Sequence, residues 1–242
     1  MKVTLVVPAL NEIKGIRVIM PRVNRELLHQ IIIVDGGSTD GTIEYALEQG
    51  YEVHKQVQVG IRLGLIEAYE KITGDIIITF SPDGNSVPEL IPDLIKKIKE
   101  GYDMVIVSRY LGDACSYDDT FVSRLGNWAF TKIINLLFGF HYTDALVMFR
   151  GYKKSIPEDL GITVRKSPLY EALIGRYISW EPQMSVRCAK KRLKITEIPG
   201  DEPLRVEDYQ RPGNRLLPPS RIYHFRSGLA CLFMFAEEII SD

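Results

Sequence analysis

Residues 31–41, IIIVDGGSTDG, decide the fold. Ile31 to Val34 form a run too uniformly apolar to have a wet face, the pattern of a strand in a parallel sheet covered by helices on both sides. Asp35 puts a carboxylate at the end of that strand. Residues 36–42 then supply glycines and N-cap candidates for a helix running towards Gln49 and closed by Gly50. Ligands of open α/β sheets bind outside the carboxyl ends of strands. One stretch therefore predicts a fold class and the edge where its chemistry sits.

Outward from it, the first 110 residues alternate short β-rich runs with helical patterns. The runs are Val3 to Val7, Tyr51 to Val53, Ile76 to Phe80 and Met104 to Val107. Such alternation predicts an α/β domain with a mostly parallel sheet flanked by helices, in which the runs from Ile31 and Ile76 are central. Pro88 to Gly101 is a helix with Pro near its start, Gly at its end and Leu90, Ile91, Leu94, Ile95 and Ile98 on one face. Three strand ends become candidate ligand loops: 8–12, 35–40 and 81–85.

After Arg109 the pattern changes. Residues 111–120 are polar and aperiodic, Val122 to Phe138 reads as an apolar helix, and Ile195 to Ile198 as a short strand. Four prolines between 200 and 220 predict a long loop before a C-terminal helix. The chain divides into an α/β half, 1–110, and a second half of the same domain, 111–242.

Composition removes whole classes. Thirty basic and 31 acidic residues in a chain of 242 leave a formal charge of −1, so there is no global positive field for nucleic acid. Cys115, Cys188 and Cys231 lack the spacing of a zinc site or a disulfide framework and fit a reducing cytosol. The N-terminal apolar run meets Pro8, Asn11 and Glu12 too soon for a signal peptide. No stretch approaches the roughly 20 apolar residues of a spanning helix. The expectation is a cytoplasmic protein, with peripheral contact at the inner face of a membrane left open by the runs 133–140 and 229–235. Their alternative is buried helix.

The loop SPDGN, 81–85, carries the metal question. Asp83, with the amide oxygen of Asn85 two residues on, can hold one edge of a Mg2+ or Mn2+ ion whose other ligands are diphosphate oxygens and water. The same residues also suit an Asx-type turn that caps the following helix. Both readings stay open on sequence.

The ordered set PALNE, VDGGSTDGT, VGIRLG, SPDGN and VSRY resembles glycosyltransferase family 2, especially its polyprenyl-phosphate sugar synthases, from residue 3 to about residue 216. The resemblance implies the GT-A fold, Rossmann-like with an acceptor-side region, and a UDP- or GDP-sugar donor. It implies that Pro8, Asn11, Glu12 and Asp35 bind the nucleoside, that Arg62 follows the third strand at the donor, and that Asp83 and Asn85 face the metal. Arg109 then lies near the phosphates. Asp144 and Arg150 map onto a segment of the synthases. Arg205, Arg211 and Arg215 are counterparts of their basic loop, with Arg150, for a lipid-phosphate acceptor.

Three positions depart from that pattern: Ser81 in place of the first acid of Asp-x-Asp, Gly36 in place of a second Asp, and Val147-Met148 in place of Ser-Gly. The implied reaction is an inverting transfer in which metal and arginines neutralise the departing diphosphate. A phosphate acceptor needs no general base; a hydroxyl acceptor needs a carboxylate, Asp144 first and Glu181 second. A hydroxyl of a sugar or glycan and a non-catalytic sugar-nucleotide-binding protein are the competing readings. A nucleotidylyltransferase is disfavoured, because no Gly-rich basic run follows strand one. His224, the C-terminal histidine, is read as structural rather than as a ligand.

Overall fold

The computed structural model describes residues 1–164, 168–176, 178–206 and 220–240, with side chains from 226 onward in the last segment. The strands are β1 (Val3–Ala9), β2 (Gln30–Asp35), β3 (Glu52–Lys55), β4 (Ile76–Thr79), β5 (Met104–Ser108), β6 (Arg150–Lys153) and β7 (Ile195–Pro199). They form one sheet in the order β3-β2-β1-β4-β6-β5-β7. Every pairing is parallel except those of β6, which runs against both β4 and β5.

Pleating divides the apolar runs between two cores, because successive side chains leave opposite faces. Ile31, Ile33, Ile76 and Ile78 face one core, which is completed by α1 (Ile13–Ile19) and α4 (Ile91–Lys99). Ile32, Val34 and Ile77 face the other, under α3 (Ile61–Tyr69), α5 (Phe121–Phe138) and α8 (Glu181–Lys190). All residues of β2 and β4 are buried, as strands covered on both sides must be. This is the mostly parallel α/β sheet flanked by helices that the sequence predicts.

Some boundaries differ. The 88–101 helix begins as a 3-10 turn over Pro88–Leu90 before α4, since Pro92 favours a fresh first turn. Strand β6 was not anticipated: Arg150-Gly-Tyr-Lys has little β character, and partners on both sides impose the pairing. Helix α2 (Thr42–Glu48) follows β2 and α6 (Ile156–Asp159) follows β6, while α7 (Leu169–Leu173) and α9 (Ser220–Ile240) pack together and α9 also covers α8. Of the expected 200–220 loop, residues 207–219 lie outside the described residues. Among the described residues, no helix is long and apolar enough to cross a membrane.

Candidate functional site

The topology brings the ends of β1, β2, β4, β5 and β7 and the start of β6 to one edge. Register shows it: Ala9 pairs with Asp35, Thr79 with Arg150, and Ser108 with Pro199.

On the β1–β2 side, two loops are stitched by backbone donors. Asp35 is fully buried, and its carboxylate accepts the N–H groups of Gly37 at 2.8 Å and Ser38 at 3.1 Å. Asn11 holds φ at +56°, a left-handed value that Asn tolerates better than most residues, and its Oδ1 accepts the Thr39 N–H at 2.8 Å. The Glu12 N–H donates to Thr42 Oγ1 at 3.0 Å. Pro8, Asn11, Glu12 and Asp35, expected at the nucleoside, are thus brought together at adjacent strand ends.

The SPDGN loop lies against α1, and Gly15 is what permits it: a Cβ there would lie 2.4 Å from the Pro82 carbonyl oxygen. Asp83 Oδ1 accepts the Asn85 N–H at 3.2 Å, so the Asx turn forms. Asp83 Oδ2 faces Arg205 Nε at 3.5 Å. The turn uses only Oδ1, so the oxygen a metal would take is Oδ2, the one beside Arg205. A single carboxylate fits Mg2+, which keeps several waters and takes its remaining ligands from phosphate. Asp83 would hold the ion, with the Asn85 amide beside it.

Behind this loop is an ion-pair network. Arg109 forks onto Asp144, Nε to Oδ2 at 2.6 Å and Nη2 to Oδ1 at 3.0 Å, while its Nη1 donates to Glu202 Oε2 at 3.1 Å. Asn127 Nδ2 donates to Asp144 Oδ1 at 3.0 Å. Burial opposes ionisation of Asp144, yet the Arg109 guanidinium more than offsets it and holds the carboxyl below its ordinary range. Glu202 also accepts the Ser116 hydroxyl and, at 3.4 Å, Asn85 Nδ2. Burial outweighs its arginine partner and raises the Glu202 carboxyl. Glu197 accepts the N–H groups of Thr143 at 2.8 Å and Asp144 at 3.0 Å, fixing the backbone that presents Asp144.

Several expected residues sit elsewhere than the sequence reading put them. Arg62 is 2% exposed and doubly bonded to Glu171 on α7, so its charge is spent inside the fold. Arg150 is fully buried because β6 is an interior strand. Its guanidinium donates to Ser185 Oγ at 2.9 Å and to the carbonyls of Ala145, Val147 and Glu181, none of them an acceptor contact. Glu181 is likewise fully buried, with its carboxyl raised by desolvation and bonded to the Ser179 hydroxyl. Asp144 is fully buried with both oxygens engaged, so neither expected base is open to an acceptor. Arg205 stands at the metal loop. Arg211, Arg215 and the side chain of His224 lie outside the described residues.

Glu202, Asp118, Asp119 and Arg124 were not singled out by the sequence reading. Glu202 could have been found, since an acid just past β7 falls at the same sheet edge. Arg124, on the first turns of α5, lies 5.7 Å from the Tyr110 ring, which Arg109 also faces at 5.3 Å and whose hydroxyl donates to Asp119.

Residues 4–161 match the model of glycosyl transferase family 2. The chain belongs to that family. It is 31% identical over 207 residues to an uncharacterised protein of Methanocaldococcus jannaschii, covering 82% of this chain and 80% of that one. It is 26% identical over 211 residues to the dolichol-phosphate mannosyltransferase of Pyrococcus furiosus; the match takes in 82% of this chain but 56% of that longer protein. Its fold is similar to that of glucosyl-3-phosphoglycerate synthase from Mycobacterium tuberculosis, crystallised with Mn2+, uridine diphosphate and phosphoglyceric acid. The TM-score is 0.66 at 18% identity, over 98% of this chain and 78% of that one.

Proposed function

We propose that the protein is an inverting glycosyltransferase that moves a sugar from a nucleotide-sugar donor to a polyprenyl phosphate, with Mg2+ or Mn2+ at Asp83. The observation that carries the acceptor class is the state of the two expected bases. A hydroxyl acceptor must lose a proton in the transfer. Asp144 is held ionised by Arg109 with both oxygens bonded, and Glu181 is fully buried with its carboxyl raised by desolvation. An acceptor that is already an anion needs neither.

The donor nucleoside lies between the 8–12 and 35–40 loops, with its diphosphate towards Asp83 and Arg109. When bound, the divalent ion supplies charge neutralisation for the diphosphate as the anomeric bond breaks. Arg109 is fixed by Asp144 and Glu202 before donor arrives, so no reorganisation accompanies charge development at that edge. The acceptor oxygen forms the new bond on the opposite face of the anomeric carbon, and Arg124 is positioned to hold its phosphate.

The outer face of α5 supports a lipid substrate. Phe121 is 81% exposed, Val122 76%, Trp128 58% and Leu136 83%, a helical stripe of large apolar side chains beginning next to Arg124. On α9, Leu232, Phe233, Ile239 and Ile240 are also exposed. Such a patch marks an interaction surface rather than a solvated helix, and its reading here is peripheral contact with a membrane that carries the acceptor. The dolichol-phosphate name of the Pyrococcus relative agrees in acceptor class.

Thermal shift with nucleoside diphosphates and nucleotide sugars, with and without Mn2+, tests the donor reading, since a ligand of the native state raises the melting temperature. A metal-dependent rise that vanishes in Asp83→Ala is expected. No rise with any nucleotide overturns it.

A further inference from the structure

Asp83 already has a cation. Arg205 Nε stands 3.5 Å from Asp83 Oδ2 and 2.9 Å from Asp118 Oδ2, so one guanidinium bridges the metal loop and the 115–119 loop. The segment that carries it is seated directly on the metal loop. The Val206 N–H donates to the Asp83 carbonyl at 2.8 Å. Gly84 has φ +107°, and a Cβ there would lie 2.7 Å from Val206 Cγ2, so only glycine lets the two backbones approach this closely. The other end is also fixed: the Glu202 N–H donates to the Cys115 carbonyl at 3.0 Å, and the Tyr117 N–H to the Glu202 carbonyl at 2.9 Å. Arg205 is therefore held over Asp83 by backbone bonds on both sides of it.

We propose that Arg205 is the resident counter-ion of Asp83 and sets how tightly the loop takes a divalent cation, guanidinium and metal competing for one carboxylate. The proposal rests on the reading of Asp83 as the cation ligand. Mg2+ needs a carboxylate oxygen at about 2.0–2.1 Å. A guanidinium against the same oxygen repels an arriving ion and blocks part of its coordination sphere. Ser81 sharpens the competition, because a loop with one acid can neutralise one guanidinium but has no second carboxylate to offer a metal at the same time. Asp118 is the closer partner of Arg205, so the side chain has a place to go when the ion enters. Metal loading and release of Arg205 from Asp83 are then the same event, and the freed edge of the guanidinium faces the diphosphate.

Binding of Mn2+ alone to the full chain, followed by the electron-paramagnetic-resonance signal of free Mn2+, tests this without any transfer reaction. Arg205→Gln should tighten Mn2+ binding by about threefold to tenfold, the size expected for a partly buried pair. Arg205→Lys keeps a positive charge beside Asp83 and should tighten binding less than Arg205→Gln does. Asp83→Asn should remove the binding in every background. If Asp83→Asn removes it but Arg205→Gln leaves the affinity unchanged or weaker, the competition is refuted and the ligand reading survives. Equal tightening by Gln and Lys also refutes it, since charge is then not the cause. Mn2+ binding that persists in Asp83→Asn overturns the ligand reading itself, and the proposal with it.

Discussion

The two sides of the sheet edge that carries the candidate site are held together by different kinds of bond. On the β1–β2 side, side chains bond to nearby backbone: Asp35 takes the N–H groups of residues two and three positions on, and Asn11 and Asp40 stitch two neighbouring loops. On the β5–β7 side, charged side chains bond to one another across long stretches of chain. Arg109 reaches Asp144, 35 residues away, and Glu202, 93 residues away, and Arg205 reaches Asp118 over 87. The first arrangement leaves a loop that is locally specified and tolerant of change elsewhere. The second depends on every partner, because each buried charge is stable only while its opposite is present.

The difference predicts unequal costs. Asp144→Ala, which leaves Arg109 largely buried without its main partner, should lower stability by about 3–5 kcal/mol in denaturant unfolding. Loss of under 1 kcal/mol would mean the network is decorative. The same group sets a pH signature. The Asp144 carboxyl lies below its unfolded value, so its contribution is fully present above the ordinary aspartate range, near pH 4, and is lost as pH falls through the depressed folded value. In Asp144→Asn that acid-side decline should be shallower, read from melting temperatures across pH.

Asp35→Ala should cost less, about 1–3 kcal/mol, for the loss of two part-buried hydrogen bonds to a carboxylate. It should also weaken free nucleoside diphosphate and nucleotide sugar alike by calorimetry, because its effect is on the nucleoside loop. Loss of sugar-nucleotide binding alone would move Asp35 out of that role. The smallest effect on the fold belongs to the α5 face: Leu136→Glu, 83% exposed in the parent, should change stability by no more than about 0.5 kcal/mol. It should nevertheless reduce flotation with anionic lipid vesicles. Unchanged flotation would remove the membrane from the account.

The same contrast explains what could be read from the sequence. Local bonds follow local motifs, so the strand-end loops around Asp35 and Asp83 and the sheet that presents them were legible from turn residues and apolar runs. β6 was not, because its pairing comes from neighbours rather than from Arg150-Gly151-Tyr152-Lys153. The fates of Arg62 and Arg150 were not legible either. An arginine that closes on a distant Glu171, or on carbonyls inside the core, has the same one-letter code as one that waits for phosphate. Asp144 was found by resemblance, but its bonding to Arg109 and Asn127, which makes it a poor base, depends on residues brought together only by the fold.

The central claim is that the acceptor is an anion and needs no base from the protein. A transfer assay with the nucleotide sugar that gives the largest thermal shift, Mn2+, and a short polyprenyl phosphate beside the matching polyprenol and a soluble neutral sugar tests it most directly. The account predicts product from the polyprenyl phosphate alone. Transfer to the polyprenol or the neutral sugar, with none to the phosphate, would contradict it.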